Sequence, residues 1–490
     1  KKKKKMEGLD LQLFNSCSNG NVEEVKQLLQ NPQVNLNCKN DHGATPLWIA
    51  CKRGRTEIVK LLLKDERVDI NKKEDGGATP FWIACYSGRI KIVKLFLNDQ
   101  RIDVNKARND KATPFWIACY NGRIKIIKML LNDKRVDINK ANKSDQTPFL
   151  AACYRGHIDI IKKLLNDKRV DINKATNDNT TPLLIACARG HLKVVKLLLN
   201  DERIDINKED DDEVTPFWIA CYHGQAKIVK LLLNDKRSID LNKMDKNGET
   251  PFFASCREGN IDIVKLLLNN ENVDINKVNK NGQTPFHVVC KYIQPEVAEL
   301  LFNDKRIDIN LEDKDGQTPF YMACQEGQVD VVELLLSDSR VDVNKAEYEY
   351  GRTPFHNLMY GDETFESLEI VKLLLNDKRV DINKKEKSGA TLLWAASEQG
   401  RINTVELILA CGREVNFNAK DEKGRTALDI ATIPEISFFE TGLEELFEER
   451  KKDCAKVTEL LRNPIETRVR LRKQFGFAGK KKKIFNLISF

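Results

Sequence analysis

Residues 113–146 read TPFWIACYNGRIKIIKMLLNDKRVDINKANKSDQ. Thr113 is a good helix N-cap, and Pro114 suits the first helical position, where a backbone N–H would have no intrahelical partner. An apolar helical turn follows and stops at Asn121-Gly122, glycine being the residue that closes a helix with least strain. A second helix is predicted from Arg123, with Ile124, Ile127, Met129, Leu130 and Leu131 as its apolar residues. RVDIN and the polar run behind it then make an extended, turning link. A unit this small cannot bury its own apolar face and needs copies of itself on either side.

The copies are present. Thr-Pro recurs at Thr45, Thr79, Thr113, Thr147, Thr181, Thr215, Thr250, Thr284, Thr318 and Thr353, in steps of 34 or 35, and ten of the fourteen prolines occupy this slot. Weaker copies follow at Thr391-Leu392 and Thr426-Ala427. A period of 34 alone favours tetratricopeptide repeats, but those have no finger-like link between one helix pair and the next.

Helix, turn, helix and finger together resemble the ankyrin family. Its T-P-L-H-x-A core stands here as TPLWIA at Thr45, as TPFWIA at Thr79, Thr113 and Thr215, and in looser form as TPFHVV at Thr284 and TPFHNL at Thr353. Its turn and outer helix stand as GHIDIIKKLL from Gly156 and GHLKVVKLLL from Gly190. The resemblance covers residues 9 to 462 and implies an all-α repeat solenoid of about 13 helix-turn-helix-finger units, caps included. The expected organisation is a basic segment at 1–8 and an array at 9–462, divided into an N-cap unit at 9–40, repeats at 41–425 and a degenerate unit with an insertion at 426–462. A basic aromatic tail is expected at 463–490.

Three departures from the family pattern stand out. The histidine slot holds Trp48, Trp82, Trp116, Trp218 and Trp394, all five tryptophans of the chain, and elsewhere Leu150, Leu184, Phe253 or Tyr321. Apolar packing is expected to replace the family's histidine hydrogen bonds, with each indole N–H reaching a backbone acceptor. The link after the outer helix is about one residue longer than usual. The finger glycine gives way to Lys111, Asp145, Asn179 and Glu213 in the middle four fingers. Three units are irregular. The one at Thr353 has four extra residues around Gly361–Ser367. The one at Thr284 has Ile293 in place of its turn glycine and adds Pro295. The one at Thr426 decays after Ala431, with CAKVTELLR from Cys454 as its displaced outer helix.

With 41% hydrophobic and 31% charged residues the chain can bury a sizeable core. Of the formal +8, Lys1–Lys5 carry +5 and residues 466–490 carry +7, which leaves −4 on the body. A near-neutral array disfavours a nucleic-acid partner, whose binding face is expected to be basic. Lys134-Arg135 and Lys168-Arg169 are read instead as cations at helix C-termini, and Glu209–Glu213 (EDDDE) as a solvated acidic tip, since it lacks the spaced ligands and glycine of a calcium loop. The opening sequence has no secretory signal pattern.

Ten of the thirteen cysteines share one register. Cys51, Cys85, Cys119, Cys153, Cys187, Cys221, Cys256, Cys290 and Cys324 each lie six residues after the repeat threonine, and Cys17 fits the same slot. Helices one repeat apart are separated by roughly 8–10 Å, too far for a disulfide, and a single file of thiols does not surround one zinc ion. A small apolar residue at a helix contact is the favoured reading, and free buried thiols argue for a reducing compartment, the cytoplasm or alternatively the nucleus. GFAGKK near the C-terminus has the wrong spacing for a P-loop, and the six histidines are scattered. No catalytic set, metal or cofactor is expected, and the chain is read as a non-enzymatic scaffold or adaptor.

The expected partners are other proteins, bound by a monomer. The resemblance places the end of each inner helix on a concave, partner-facing side. Those positions hold Lys52, Arg53, Tyr86, Tyr120, Tyr154, Arg155, Arg189, Tyr222, His223 and Arg257. Tyrosine and arginine are common interface anchors. A membrane-surface scaffold docked through residues 466–490 on acidic lipid is one alternative, and a targeting fragment of a larger protein another.

Overall fold

The computed structural model describes residues 8–432 and 444–474 and divides into two units, Lys1–Lys246 and Asn247–Phe490. The basic segment 1–7, part of the acidic insertion and the tail from 475 onward lie outside the described residues. Among the described residues there are twenty-seven α-helices and one 3-10 turn, and the only β pairing is an isolated bridge between Lys385 and Thr391.

In the first unit each inner helix starts as the sequence predicts. The Thr113 hydroxyl accepts from the Trp116 N–H at 3.0 Å, and Pro114 opens the helix Pro114–Tyr120. Every other Thr-Pro pair of the chain caps a helix in the same way. The helix stops at Gly122, whose φ of 74° is the left-handed conformation that suits glycine. The outer helix Ile124–Leu131 turns Ile126, Ile127 and Leu130 inward. Successive inner helices pack on one another, as do successive outer helices. Phe81, Phe115, Phe149 and Phe217 are buried between them, each contributing roughly 2–3 kcal/mol relative to exposure. The ten cysteines of the shared register are all buried.

Three kinds of side-chain link recur between successive repeats, and the link sequence NDKRVDIN carries two of them. The Asn105 amide donates to the Arg135 carbonyl at 2.6 Å and accepts from the Asp137 N–H at 2.8 Å, bridging to the following repeat. Arg135 reaches back: its guanidinium pairs with Asp133 and donates to the Leu97 carbonyl at 2.9 Å, at the C-terminus of the previous outer helix. These arginines therefore do more than face a helix dipole, because they satisfy carbonyls the helix leaves open. The third link comes from the residue after the turn glycine. His157 Nε2 meets the Tyr120 carbonyl at 2.9 Å, and His191 Nε2 meets that of Tyr154 at 3.0 Å, at the ends of the preceding inner helices.

The fingers join by backbone bonds such as Lys143 N–H to the Asp110 carbonyl, 2.7 Å. Lys111, Asp145, Asn179 and Glu213 hold the glycine conformation, with φ of 62°, 53°, 57° and 61°. A side chain in that region costs about 1–2 kcal/mol. The indole expectation holds at Trp82, which donates to the Ala112 carbonyl at 3.0 Å, and at Trp116, which donates to that of Gln146 at 2.8 Å. The Nε1 atoms of Trp48 and Trp394 are buried without an acceptor. Lys52 and Arg425 lie over those two rings, so their faces are satisfied and their N–H groups are not.

The second unit repeats the plan with irregularities. The inner helix Pro285–Lys291 ends without a left-handed glycine, leaving Ile293 78% exposed ahead of Pro295–Phe302. After Thr353 the inner helix shortens to Pro354–Asn357 and tightens into a 3-10 turn at Leu358–Tyr360. The inserted residues then lead to Thr364, which caps Phe365–Asn376. The displaced outer helix is part of Glu444–Arg462 and buries Cys454, Val457, Leu460 and Leu461. The sequence reading begins a tail at 463, whereas the structure continues with a helix, Pro464–Gln474, packed on Ile402–Ala410. Among the side chains described from 464 to 473, Thr467 and Leu471 are the buried ones, a stripe too narrow to register among the basic residues.

Candidate functional site

The ends of the inner helices in the first unit carry nine of the ten expected site residues. In Pro80–Tyr86, Pro114–Tyr120 and Pro216–Tyr222, position i holds a tryptophan that starts in the core and position i+4 the tyrosine that leaves it, so the two rings share one face. Trp82 stacks on Tyr86 at 5.6 Å between centroids, Trp116 on Tyr120 at 5.2 Å and Trp218 on Tyr222 at 5.4 Å. The indoles are largely buried and rigid, which fixes the tyrosines. Tyr86 is 46% exposed, while Tyr120, Tyr154 and Tyr222 are half-buried.

Adjacent repeats then interleave. Tyr120 and Tyr154 stack at 6.3 Å. The Arg155 guanidinium lies over Tyr120 at 5.1 Å, and that of Arg189 over Tyr154 at 4.3 Å, where it also donates to the Tyr154 hydroxyl. Cation–π contact of this kind holds a long flexible arginine in one orientation. Four of the expected residues are thus brought into one continuous patch. The others remain apart: Lys52 lies over Trp48, Arg53 is exposed, and His223 meets the edge of Tyr222. Arg257 belongs to the second unit, where it pairs with Glu249 and Glu258 and is already engaged.

Arg108 is a residue the sequence reading missed. Its guanidinium lies over Trp82 at 5.2 Å and pairs with Asp110. The corresponding finger position elsewhere is an acceptor that takes the finger's own N–H groups, as Asn142 takes Ser144 and Gln146 and Asp210 takes Asp212 and Val214. A basic residue in an acceptor slot was the available signal. The acidic finger is less free than its composition implied, since Lys243 pairs with Glu209 at 2.9 Å and Lys246 with Asp212 at 3.6 Å.

Burial raises the thiol pKa of every cysteine in the shared register, so these sulfurs stay protonated. Among the described residues no three His, Cys, Asp or Glu side chains gather as a metal site, and no helix is long and apolar enough to cross a membrane. What the arrangement offers chemically is a set of placed rings and guanidiniums able to make aromatic, cation–π and hydrogen-bond contacts.

Comparison with known families matches the description "Ankyrin repeats (3 copies)" in overlapping stretches, 13–108, 66–142, 101–176, 149–245, 217–313, 271–347, 295–385 and 358–437. A comparison with curated proteins gives no match. Repeats of this family are in general protein–protein interaction modules. From residue 13 to residue 437 the matches run without a gap, and the chain belongs to the ankyrin repeat family.

Proposed function

We propose that this protein is a non-enzymatic scaffold that holds a partner protein on the inner-helix ends of its first unit, Tyr120, Tyr154, Arg155 and Arg189 forming the centre of contact and Lys52, Arg53, Tyr86, Tyr222 and His223 the flanks. One observation carries the reading: tyrosines already stacked on buried tryptophans and arginines already laid on tyrosines lose little freedom on binding. Less of the contact energy is then consumed in ordering side chains. The links that hold the repeats together use the backbone carbonyls beneath these residues and leave the side chains available.

A triple Tyr86→Ala, Tyr120→Ala, Tyr154→Ala variant tests the proposal. It should keep the wild-type circular dichroism spectrum and lose at least one partner in affinity purification followed by mass spectrometry. A folded variant that keeps every partner of the wild type would remove this surface from consideration.

A further inference from the structure

The Asp-x-Arg step after each outer helix is an internal ion pair. Nine repeats have it, from Asp65 with Arg67 to Asp377 with Arg379, at 2.6–2.9 Å. In two repeats both partners are neutral: Asn31 with Gln33, and Asn270 with Asn272. Aspartate and arginine are thus present or absent together, as expected if a guanidinium at this place needs an anion.

One repeat breaks the rule. At Cys411-Gly412-Arg413 the arginine remains and the carboxylate is gone. Arg413 still caps the preceding repeat, donating to the Asp377 carbonyl at 3.2 Å and to that of Val380. The helix Pro464–Gln474 then adds two more cations at the same place. Arg468 donates to the Arg413 carbonyl, and a Cβ at Gly412 would lie 3.3 Å from Arg472 Nη2. The charges of Arg413, Arg468 and Arg472 all act on the Cys411 thiol. No ion pair joins any of the three to a carboxylate among the described residues, and the Arg468 Nε is buried without an acceptor. Cys411 itself is only partly buried, so the place is open to solvent.

From this we infer an oxyanion site at Arg413, Arg468 and Arg472, in the position that the aspartate side chain fills in the other repeats, and we assign it to a phosphate group. Three guanidiniums exceed what one carboxylate neutralises, whereas a phosphate brings up to two negative charges and three acceptor oxygens matched to arginine's donor fork. A free phosphate ion and a phosphate carried on a serine of another chain present the same chemistry to the site.

Calorimetric titration of the full chain with inorganic phosphate, in chloride buffer of matched ionic strength, tests the site. One saturable event is expected. Arg472→Gln, at an exposed position, should weaken it at least about tenfold, since a charge-assisted bond is lost. Cys411→Asp should abolish it by restoring the internal pair, and Arg67→Gln, at an ordinary repeat, should leave it unchanged. A neutral phosphoserine peptide run alongside distinguishes the sources, tighter binding than free phosphate pointing to a modified chain. Binding of phosphate no better than chloride, or binding that ignores Arg472→Gln, overturns the assignment, and the exposed Arg472 variant alone decides it if Cys411→Asp does not fold.

Discussion

The repeats between Thr79 and Tyr222 and those between Thr353 and Gln474 follow one plan and solve its problems with different materials. In the first stretch the inner helices Pro80–Tyr86, Pro114–Tyr120 and Pro216–Tyr222 are sequence copies, PFWIACY, and the slot three residues after threonine is Trp or Leu. In the second stretch that slot holds His356, Trp394 and Asp429, the inner helix after Thr353 is cut short, and polar groups are drawn inside. Arg352 lies over Tyr350 and Tyr360 and pairs with Glu386 at 3.0 Å, while Arg401, only 5% exposed, donates to the Gly361 carbonyl. Where the helices are uniform, apolar packing and the regular inter-repeat links hold the register together. Where a helix changes length, backbone groups lose their partners, and buried side chains must replace them.

Acid should separate the two stretches most sharply. Burial lowers the His356 pKa from 6.5 to about 4, and His287 is lowered for the same reason. A neutral histidine in the folded chain that takes a proton once unfolded stabilises the fold fully above about pH 6.5. That contribution is lost as the pH falls from there toward 4. The loss at His356 is on the order of 3 kcal/mol by pH 4. The Asp-x-Arg carboxylates titrate lower, below their usual range, because the arginine hydrogen bonds favour the charged form. Hydrogen exchange between pH 7 and 4.5, corrected for intrinsic rates, should therefore show protection falling around 353–400 before it falls around 113–160. His356→Leu, the residue at Leu150 and Leu184, should flatten the difference. Parallel loss in both stretches would erase this contrast.

Packing gives the next largest effect. Cys153 is fully buried between helices, so Cys153→Leu should cost about 1–3 kcal/mol in chemical denaturation. Cys411, partly exposed and outside the shared register, should tolerate the same change within about 0.5 kcal/mol. Equal costs would mean that the cysteine slot is no tighter than the surface.

The smallest expected effect lies in the fingers. Lys111→Gly relieves a side chain at φ 62° and should stabilise the chain by about 0.5–1 kcal/mol, the strain of about 1–2 kcal/mol offset in part by glycine's greater freedom when unfolded. Gly282→Ala should destabilise it, since φ is 79° and the new Cβ would stand 2.8 Å from the Lys314 nitrogen. Thermal midpoints moving in the same direction for both would show that the two kinds of finger are not in the same conformation.

Much of this was legible in the sequence because it is local. Thr-Pro fixes a helix start and Asn121-Gly122 a stop, and of the apolar residues expected on the outer helix Ile127, Leu130 and Leu131 are buried, Ile124 and Met129 are partly so, and the buried Ile126 was not among them. The left-handed residues could be placed at Lys111, Asp145, Asn179 and Glu213, since glycine fills that position in eight of the other fingers. What stayed hidden is contact at a distance. Asn105 reads as an ordinary polar link residue until the next repeat is stacked on it, and Arg135 as one half of a surface ion pair until the Leu97 carbonyl arrives. The helix Pro464–Gln474 was obscured by its own cations. At the candidate site the tyrosine positions were readable, but which arginine lies on which ring depends on neighbours 35 residues away.

The bridges from asparagine, arginine and the residue after the turn glycine each reach one repeat and no further. A duplicated repeat spliced into the array would meet the donors and acceptors its parent met, on both sides, with no other bond to rewire. Such a chain can lengthen by copying, which accords with three identical PFWIACY helices standing within one unit, and each added copy would present one more inner-helix end free to diverge.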